Sequence, residues 1–157
     1  MMQNFWKKYD EIELSHSSVH HLLAIDSLRE QQGYARLVDV SNYLNISRAS
    51  VSITIGKLKK KGFVEEDPNR FLRLSDKGAD IVSSVLTKRK IVEKFFRVVL
   101  NLPDNIPEIN ACKIEHLLDV ETGSKLARFV NFYQSDANEA NKFRRALERH
   151  LKNGGSL

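Results

Sequence analysis

Three residues in the stretch "ACKIEHLLD", 111–119, have the types and the spacing for metal chemistry. Cys112, the only cysteine of the chain, stands three residues before Glu115 and four before His116. On a helix those positions are i, i+3 and i+4 and share one face. Thiolate, carboxylate and imidazole all ligate transition metals. Three ligands on one helix leave a site incomplete, so another element must supply the fourth. The same residues admit a plainer reading. A free cysteine often packs as a small hydrophobe, and a Glu-His pair on a helix is commonplace. The stretch alone leaves both open.

A third use, Glu115 as the base of a metallohydrolase, finds no support. The chain has no HExxH motif, no paired catalytic acids and no glycine-rich phosphate loop. A site saturated by N, O and S ligands also leaves no position open for water. The chain is therefore not expected to be an enzyme.

The elements that must position these residues follow from the rest of the sequence. A length of 157 residues suits one compact domain or two small ones sharing a core. With 41% hydrophobic and 29% charged residues, the chain can bury a core and keep a polar surface. No run approaches the ~20 apolar residues of a membrane span. The opening "MMQNFWKKYDEIELSH" has no apolar core and carries acids early, unlike a secretory signal. A single cysteine excludes an internal disulfide framework. The expected default compartment is a reducing cytoplasm, away from membranes.

Net charge is +5 and the pI about 9.3, so the distribution of charge matters more than its sum. Between Ser47 and Gly62 stand Arg48, Lys57, Lys59, Lys60 and Lys61, with no acid. "KRKIVEKFFR", 88–97, and the tail from Lys142 to Lys152 are also basic; the tail reads as a solvated helix face.

Apolar spacing at 19, 22, 23, 25 and 28 predicts a helix over about 16–31, closed at Gly33. A short helix over about 37–44 follows, then a tight turn in "LNIS". Ser47 is the expected N-cap of a third helix, about 48–61, with Val51, Ile55 and Leu58 as its buried stripe. Two β-prone runs, 63–66 and 70–74, flank Asp-Pro-Asn, which is strong turn chemistry, with Asn69 and Arg70 at or beside the tip.

Helix, helix, turn, basic helix and hairpin form the order of a winged helix-turn-helix. The third helix has a second face, with Ile53, Gly56, Lys57 and Lys60 at i, i+3, i+4 and i+7. Lysines there can neutralise phosphates. Gly56 lets the helix approach DNA closely, and an outward Ile53 suits a thymine methyl. The alternative for Ile53 is packing against another protein element. The candidate DNA-contacting set is Ser47, Arg48, Ser50, Ile53, Lys57, Lys60 and Arg70. A winged helix serving only as a protein-interaction module fits poorly with an acid-free basic helix.

A long helical stretch, 76–100, carries Ile81, Val85, Ile91, Phe95, Val98 and Val99, more apolar surface than a small monomer needs, which points to a dimer interface. Pro103 and Pro107 break it. A helix over about 107–118 carries the Cys-Glu-His motif, two more follow, and "NGGSL" is a frayed end. The expected fold is mainly α. Residues 1–75 form the winged helix-turn-helix, and residues 76–157 form a helical metal-binding and dimerisation domain.

A winged helix, a linker helix and a helix bearing C-x-x-E-H together resemble the diphtheria-toxin-repressor family of metal-dependent regulators, in the short form of its manganese-transport-regulator branch. "GYARLVDVSNYL", "SVSITIGKLKKKGFV", "LRLSDKG" and "ACKIEHLL" carry the resemblance, which runs from about Ser17 to about Tyr133. It implies a primary metal site with ligands at Cys112, Glu115 and His116 and a fourth from the first helix, at His20. Unaided, His20 reads as a polar helix residue, paired at the surface with His16; a one-residue shift in register would select His21 instead.

Two positions depart from the family. Leu23 stands where the binuclear branch has a second acid, and Arg89 where the linker helix usually has a histidine. Leucine has no ligand atom and arginine stays protonated. Glu93 and Glu108 fall where a second metal would find ligands, and Arg89 is expected to pair with one of them, its charge replacing that ion. The resemblance thus implies one divalent transition metal per chain. A cysteine among the ligands favours iron(II), with manganese(II) or zinc(II) as alternatives. It also implies a homodimeric regulator, a repressor, on a palindromic operator in double-stranded DNA, with the metal bridging the first helix and the dimerisation domain. The competing reading is a metal-independent winged-helix regulator in which Cys112 is structural or redox-sensing.

Overall fold

The computed structural model describes residues 14–152; the expected frayed end, 153–157, lies outside them. Seven α-helices and one two-stranded sheet occupy that range. Two compact units divide within the fourth helix, one ending at Ser84 and the next beginning at Val85.

In the first unit, α1 (His16–Gln32) is the central element. Ser15 caps its start, accepting from the Ser18 amide at 3.2 Å, and Gly33 ends it at φ 84°. Five consecutive residues, His21 to Ile25, are buried. A helix apolar on one stripe only would expose some of these; α1 instead packs against α2 (Leu37–Leu44), α3 (Arg48–Lys60) and the hairpin. Asn45 turns the chain out of α2 with φ 53°. Ser47 caps α3, accepting from the Ser50 amide at 3.1 Å. Val51, Ile55 and Leu58 are its buried residues, the stripe that the spacing predicts.

The wing is shorter than the β-prone runs. β1 (Val64–Glu66) and β2 (Leu72–Leu74) pair antiparallel with Glu65 opposite Arg73, and those two side chains form an ion pair at 2.6 Å. Asp67 organises the turn by accepting from the amides of Asn69 and Phe71, each at 2.9 Å. β2 is fixed on its other edge, where the Leu72 amide donates to the Ala35 carbonyl at 2.8 Å.

Helix α4 spans Asp76–Lys94 and then widens into a π turn, Phe95–Val99, where one uniform helix was expected. The Leu100 amide reaches back five residues to Phe95.

The second unit buries Val85, Val92, Val99, Ala111, Val130, Tyr133 and Ala140. In it α5 (Ile106–Ile114), entered through Pro107, gives way to a 3₁₀ turn, Glu115–Leu117. Asp119 then caps α6 (Val120–Gln134), accepting from the Thr122 amide at 2.6 Å. The last helix, α7 (Asn138–Lys152), is basic, and most of its cations are exposed, as the tail predicts. Arg144 is the exception. It is half-buried and donates to the terminal carbonyls of α6, at 3.0 Å to Ser135 and also to Tyr133. No helix among the described residues is long and apolar enough to cross a membrane.

Candidate nucleic-acid interface and metal centre

The predicted DNA-contacting residues all belong to the first unit. Ser47 and Ser50 are linked through their hydroxyls at 2.9 Å at the exposed start of α3, next to the exposed Arg48. Farther along, Ile53 is 61% exposed, and Lys57 and Lys60 are exposed beside it. A β-carbon on Gly56 would meet nothing within 4 Å, so that side of the helix is open. Not every cation of the run faces out for phosphate. Lys59 forms an ion pair with Glu66 of the wing. Arg70 holds φ 67° at the wing tip, 81% exposed and 3.8 Å from Glu66. One further cation went unanticipated: Arg36 lies 4.4 Å from the ring centre of Phe71 and 5.8 Å from that of Tyr34. The signal was available in "GYAR", where an aromatic precedes a base, but its partner Phe71 is remote in sequence.

On α1 the three histidines differ. His16 and His20 stack edge to face with ring centres 4.3 Å apart, the pair that the i, i+4 spacing suggests. His20 is half-buried. His21 is 1% exposed, and its Nδ1 lies 2.6 Å from the Ser17 carbonyl. A carbonyl only accepts, so Nδ1 carries the proton. Nε2 is buried and has no hydrogen-bond partner. Leu23, which has no ligand atom, is buried.

On the second unit, the helix type changes within the motif. Cys112 lies in α5, whereas Glu115 and His116 begin the 3₁₀ turn, so the single helix predicted over 107–118 is replaced by two forms. Cys112 is half-buried and Glu115 is 1% exposed. The side chain of His116 lies outside the described residues. Among the described residues no three His, Cys, Asp or Glu side chains gather as a metal-holding group.

The charge on Glu115 is met by Arg89 of α4. Its Nη2 donates to Oε1 at 2.7 Å, its Nε donates to Oε2, and the same Nη2 reaches the Cys112 Sγ at 3.9 Å. The hydrogen bond to Glu115 raises the Arg89 pKa above its ordinary value against the opposing effect of burial; the charges of Glu115, Cys112 and Glu108 act in the same direction as that bond. Arg89 is thus a permanent cation.

The expected pairing of Arg89 with Glu93 or Glu108 is replaced by this one. Glu93 is held by Arg97 at 3.0 Å, and Glu108 is exposed in the first turn of α5. The donor chemistry suits a divalent metal nonetheless: a thiol sulfur and a buried carboxylate converge on one cation. The backbone after the motif is tied down as well, with Lys88 donating to the Leu118 carbonyl at 2.8 Å.

Two family models match this chain. Residues 13–72 match the N-terminal DNA binding domain of the iron dependent repressor, and residues 75–144 match its metal binding and dimerisation domain. The chain is similar to an uncharacterized HTH-type transcriptional regulator of Aeropyrum pernix, at 39% identity over 77 residues, 48% of this chain and 43% of that protein. It is also similar to the HTH-type transcriptional regulator MntR of Geobacillus kaustophilus, at 27% identity over 123 residues, 78% of this chain and 86% of the relative. The crystal structure of T. acidophilum IdeR shares the fold, with a TM-score of 0.61 and 23% identity over 75% of this chain and 55% of that one. The match thus spans less than half of the Aeropyrum protein and little more than half of the IdeR chain.

Proposed function

The chain belongs to the iron-dependent repressor family, a family of transcriptional regulators rather than enzymes, and from that premise we infer a metal-dependent, DNA-binding regulator that acts as a dimer. The finer reading is a cytoplasmic repressor of metal-ion homeostasis genes that binds a palindromic operator as a homodimer. Ser47, Arg48, Ser50, Ile53, Lys57, Lys60 and Arg70 are its proposed DNA contacts.

Cys112, Glu115 and His116 are the proposed ligands from the motif, with His20 the fourth from α1 and one metal per chain. The observation that supports the metal reading best is the convergence of the Cys112 sulfur and the buried Glu115 carboxylate on a shared cation. When bound, a divalent metal supplies its charge to these ligands, and the thiolate favours iron(II) over manganese(II), with zinc(II) also accommodated. Metal-bound and metal-free chains then differ in DNA affinity by a coupling of ~1–3 kcal/mol, and DNA tightens metal binding by the same factor.

Operator binding titrated with iron(II), manganese(II) and zinc(II) under anaerobic reductant tests this. Metal should tighten binding, and Cys112→Ala should remove the metal response while leaving a folded dimer. A Cys112→Ala protein that responds to metal normally would sink the site assignment. Two observations support specific alternatives. The partnerless Nε2 of His21 makes His21 the competing first-helix ligand, so His20→Ala and His21→Ala belong in the same titration. The Arg89–Glu115 pair supports a metal-independent regulator with Cys112 structural, for which a chelator would leave DNA binding unchanged.

A further inference from the structure

We propose that Arg89 is a built-in competitor at the Cys112/Glu115 ligand pair, so that metal enters this site by cation exchange. The inference rests on the metal-site reading above. In this chain the guanidinium takes both carboxylate oxygens of Glu115 and places Nη2 3.9 Å from the Cys112 sulfur. Those are the atoms a metal ion needs. Guanidinium cannot deprotonate and has no acceptor to offer a metal, so it can neither join the ligand set nor become neutral beside a second cation.

Burial makes the exchange asymmetric. Glu115 is 1% exposed, so its carboxylate needs a cation at all times, whereas Arg89 is 26% exposed and has a route to solvent. Within α4, Glu93 lies one turn from Arg89, but Arg97 already holds it, which leaves Arg89 directed to Glu115. Arg89 therefore does two things. It holds the Glu115 carboxylate in place while metal is scarce, and it raises the metal concentration at which the ligands are taken. A histidine at this position would do neither in the same way, since it can lose its charge near neutral pH.

Cobalt(II) is a suitable probe, because thiolate-to-cobalt absorption reports a metal bonded to the chain's single cysteine. Wild type, Arg89→Gln, Arg89→Lys and Cys112→Ala are titrated as full-length chains under anaerobic reductant. Arg89→Gln should bind cobalt at least about tenfold more tightly than wild type with the same thiolate band, the size of effect that groups around a ligand set exert. Without metal its melting temperature should fall below that of wild type, and cobalt should restore more of it. Arg89→Lys, which keeps the charge but loses the two-pronged geometry, should fall between, and it carries the test should the glutamine variant not fold. A thiolate band in Arg89→Gln alone supports the proposal in its strongest form. Equal cobalt affinity in wild type and the Arg89 variants overturns the competitor role and leaves the metal reading standing. No thiolate band in any of the proteins overturns both.

Discussion

Gly78 and Phe63 meet so closely that a β-carbon on Gly78 would stand 2.2 Å from the Phe63 carbonyl oxygen. The contact is made by backbone, which has little room to give. It is held from both sides: the Ser75 amide donates to that same carbonyl at 3.0 Å, and the Gly78 amide donates to the Ser75 hydroxyl at 3.1 Å. Glycine inside a helix ordinarily weakens it, and alanine is then a gain. Here the steric term reverses the sign. Gly78→Ala should destabilise the first unit by more than about 2 kcal/mol, in the range of overpacked core sites, measured as a lowered midpoint in denaturant unfolding. A neutral or stabilising result would mean that the end of α3 and the start of α4 are not packed in this way.

Gly56 sits in the opposite situation. It lies mid-helix in α3, with nothing within 4 Å of where a β-carbon would be. Gly56→Ala should stabilise the fold by about 0.5–1 kcal/mol. If this face lies against DNA, the added methyl takes space that the duplex needs, so operator affinity should fall while stability rises. Melting and mobility-shift measurements on one preparation would show the two moving in opposite directions; affinity that holds or improves would remove Gly56 from the contact surface.

These glycines also show what a sequence can reveal. The close approach at Gly78 joins residues fifteen apart in different elements, and nothing local encodes it. Where structure is set by local chemistry, the sequence was a good guide: the Ser47 cap, the Gly33 end of α1 and the Asp-Pro-Asn turn all lie where their residue types require. The breaks inside helices were not legible. Neither the π turn at Phe95–Val99 nor the 3₁₀ turn at Glu115 is preceded by a proline or glycine that would mark it. Arg89 had three acids within plausible reach. Spacing alone favours Glu93 at i+4, but Glu93 is also i−4 from Arg97, and Arg97 takes it. Only the approach of α5 to α4 decides for Glu115. His20, His116 and Arg89 could be nominated from the family resemblance, whereas the buried, partnerless nitrogen of His21 could be found only in three dimensions.

Asp26 on α1 gives a pH test of the first unit. Burial raises its pKa above the ordinary carboxylate range, the Glu30 charge one turn on adds to this, and Arg29 offsets part of it. The folded state therefore holds its proton to higher pH than the unfolded chain does. Stability falls as pH rises from the unfolded to the folded pKa, and the penalty is complete above that window. Asp26→Asn removes the penalty. The variant should be more stable than wild type at about pH 7, with the difference shrinking as both carboxyl states protonate near pH ~3. Unfolding curves at the two pH values decide it: a stability difference independent of pH would assign the effect to something other than ionisation.

Lys57 and Ile53 share the outward face of α3, and the two should fail differently. Lys57 is an exposed cation on a helix face without acids, so its expected partner is a phosphate. Removing one phosphate contact releases one fewer counterion. Lys57→Ala should therefore weaken binding to operator and to unrelated DNA alike, and should lower the slope of log K against log salt by about 1. Ile53 carries no charge and is 61% exposed. If it rests against a thymine methyl, Ile53→Ala should leave the salt slope intact and reduce the preference for operator over unrelated DNA, with ~1–3 kcal/mol as the scale for a base-reading contact. Equilibrium binding of both variants to both DNAs across a salt series separates the roles. Loss of affinity without loss of preference in Ile53→Ala would assign that residue to a protein contact instead, and an unchanged salt slope in Lys57→Ala would take α3 out of the phosphate interface.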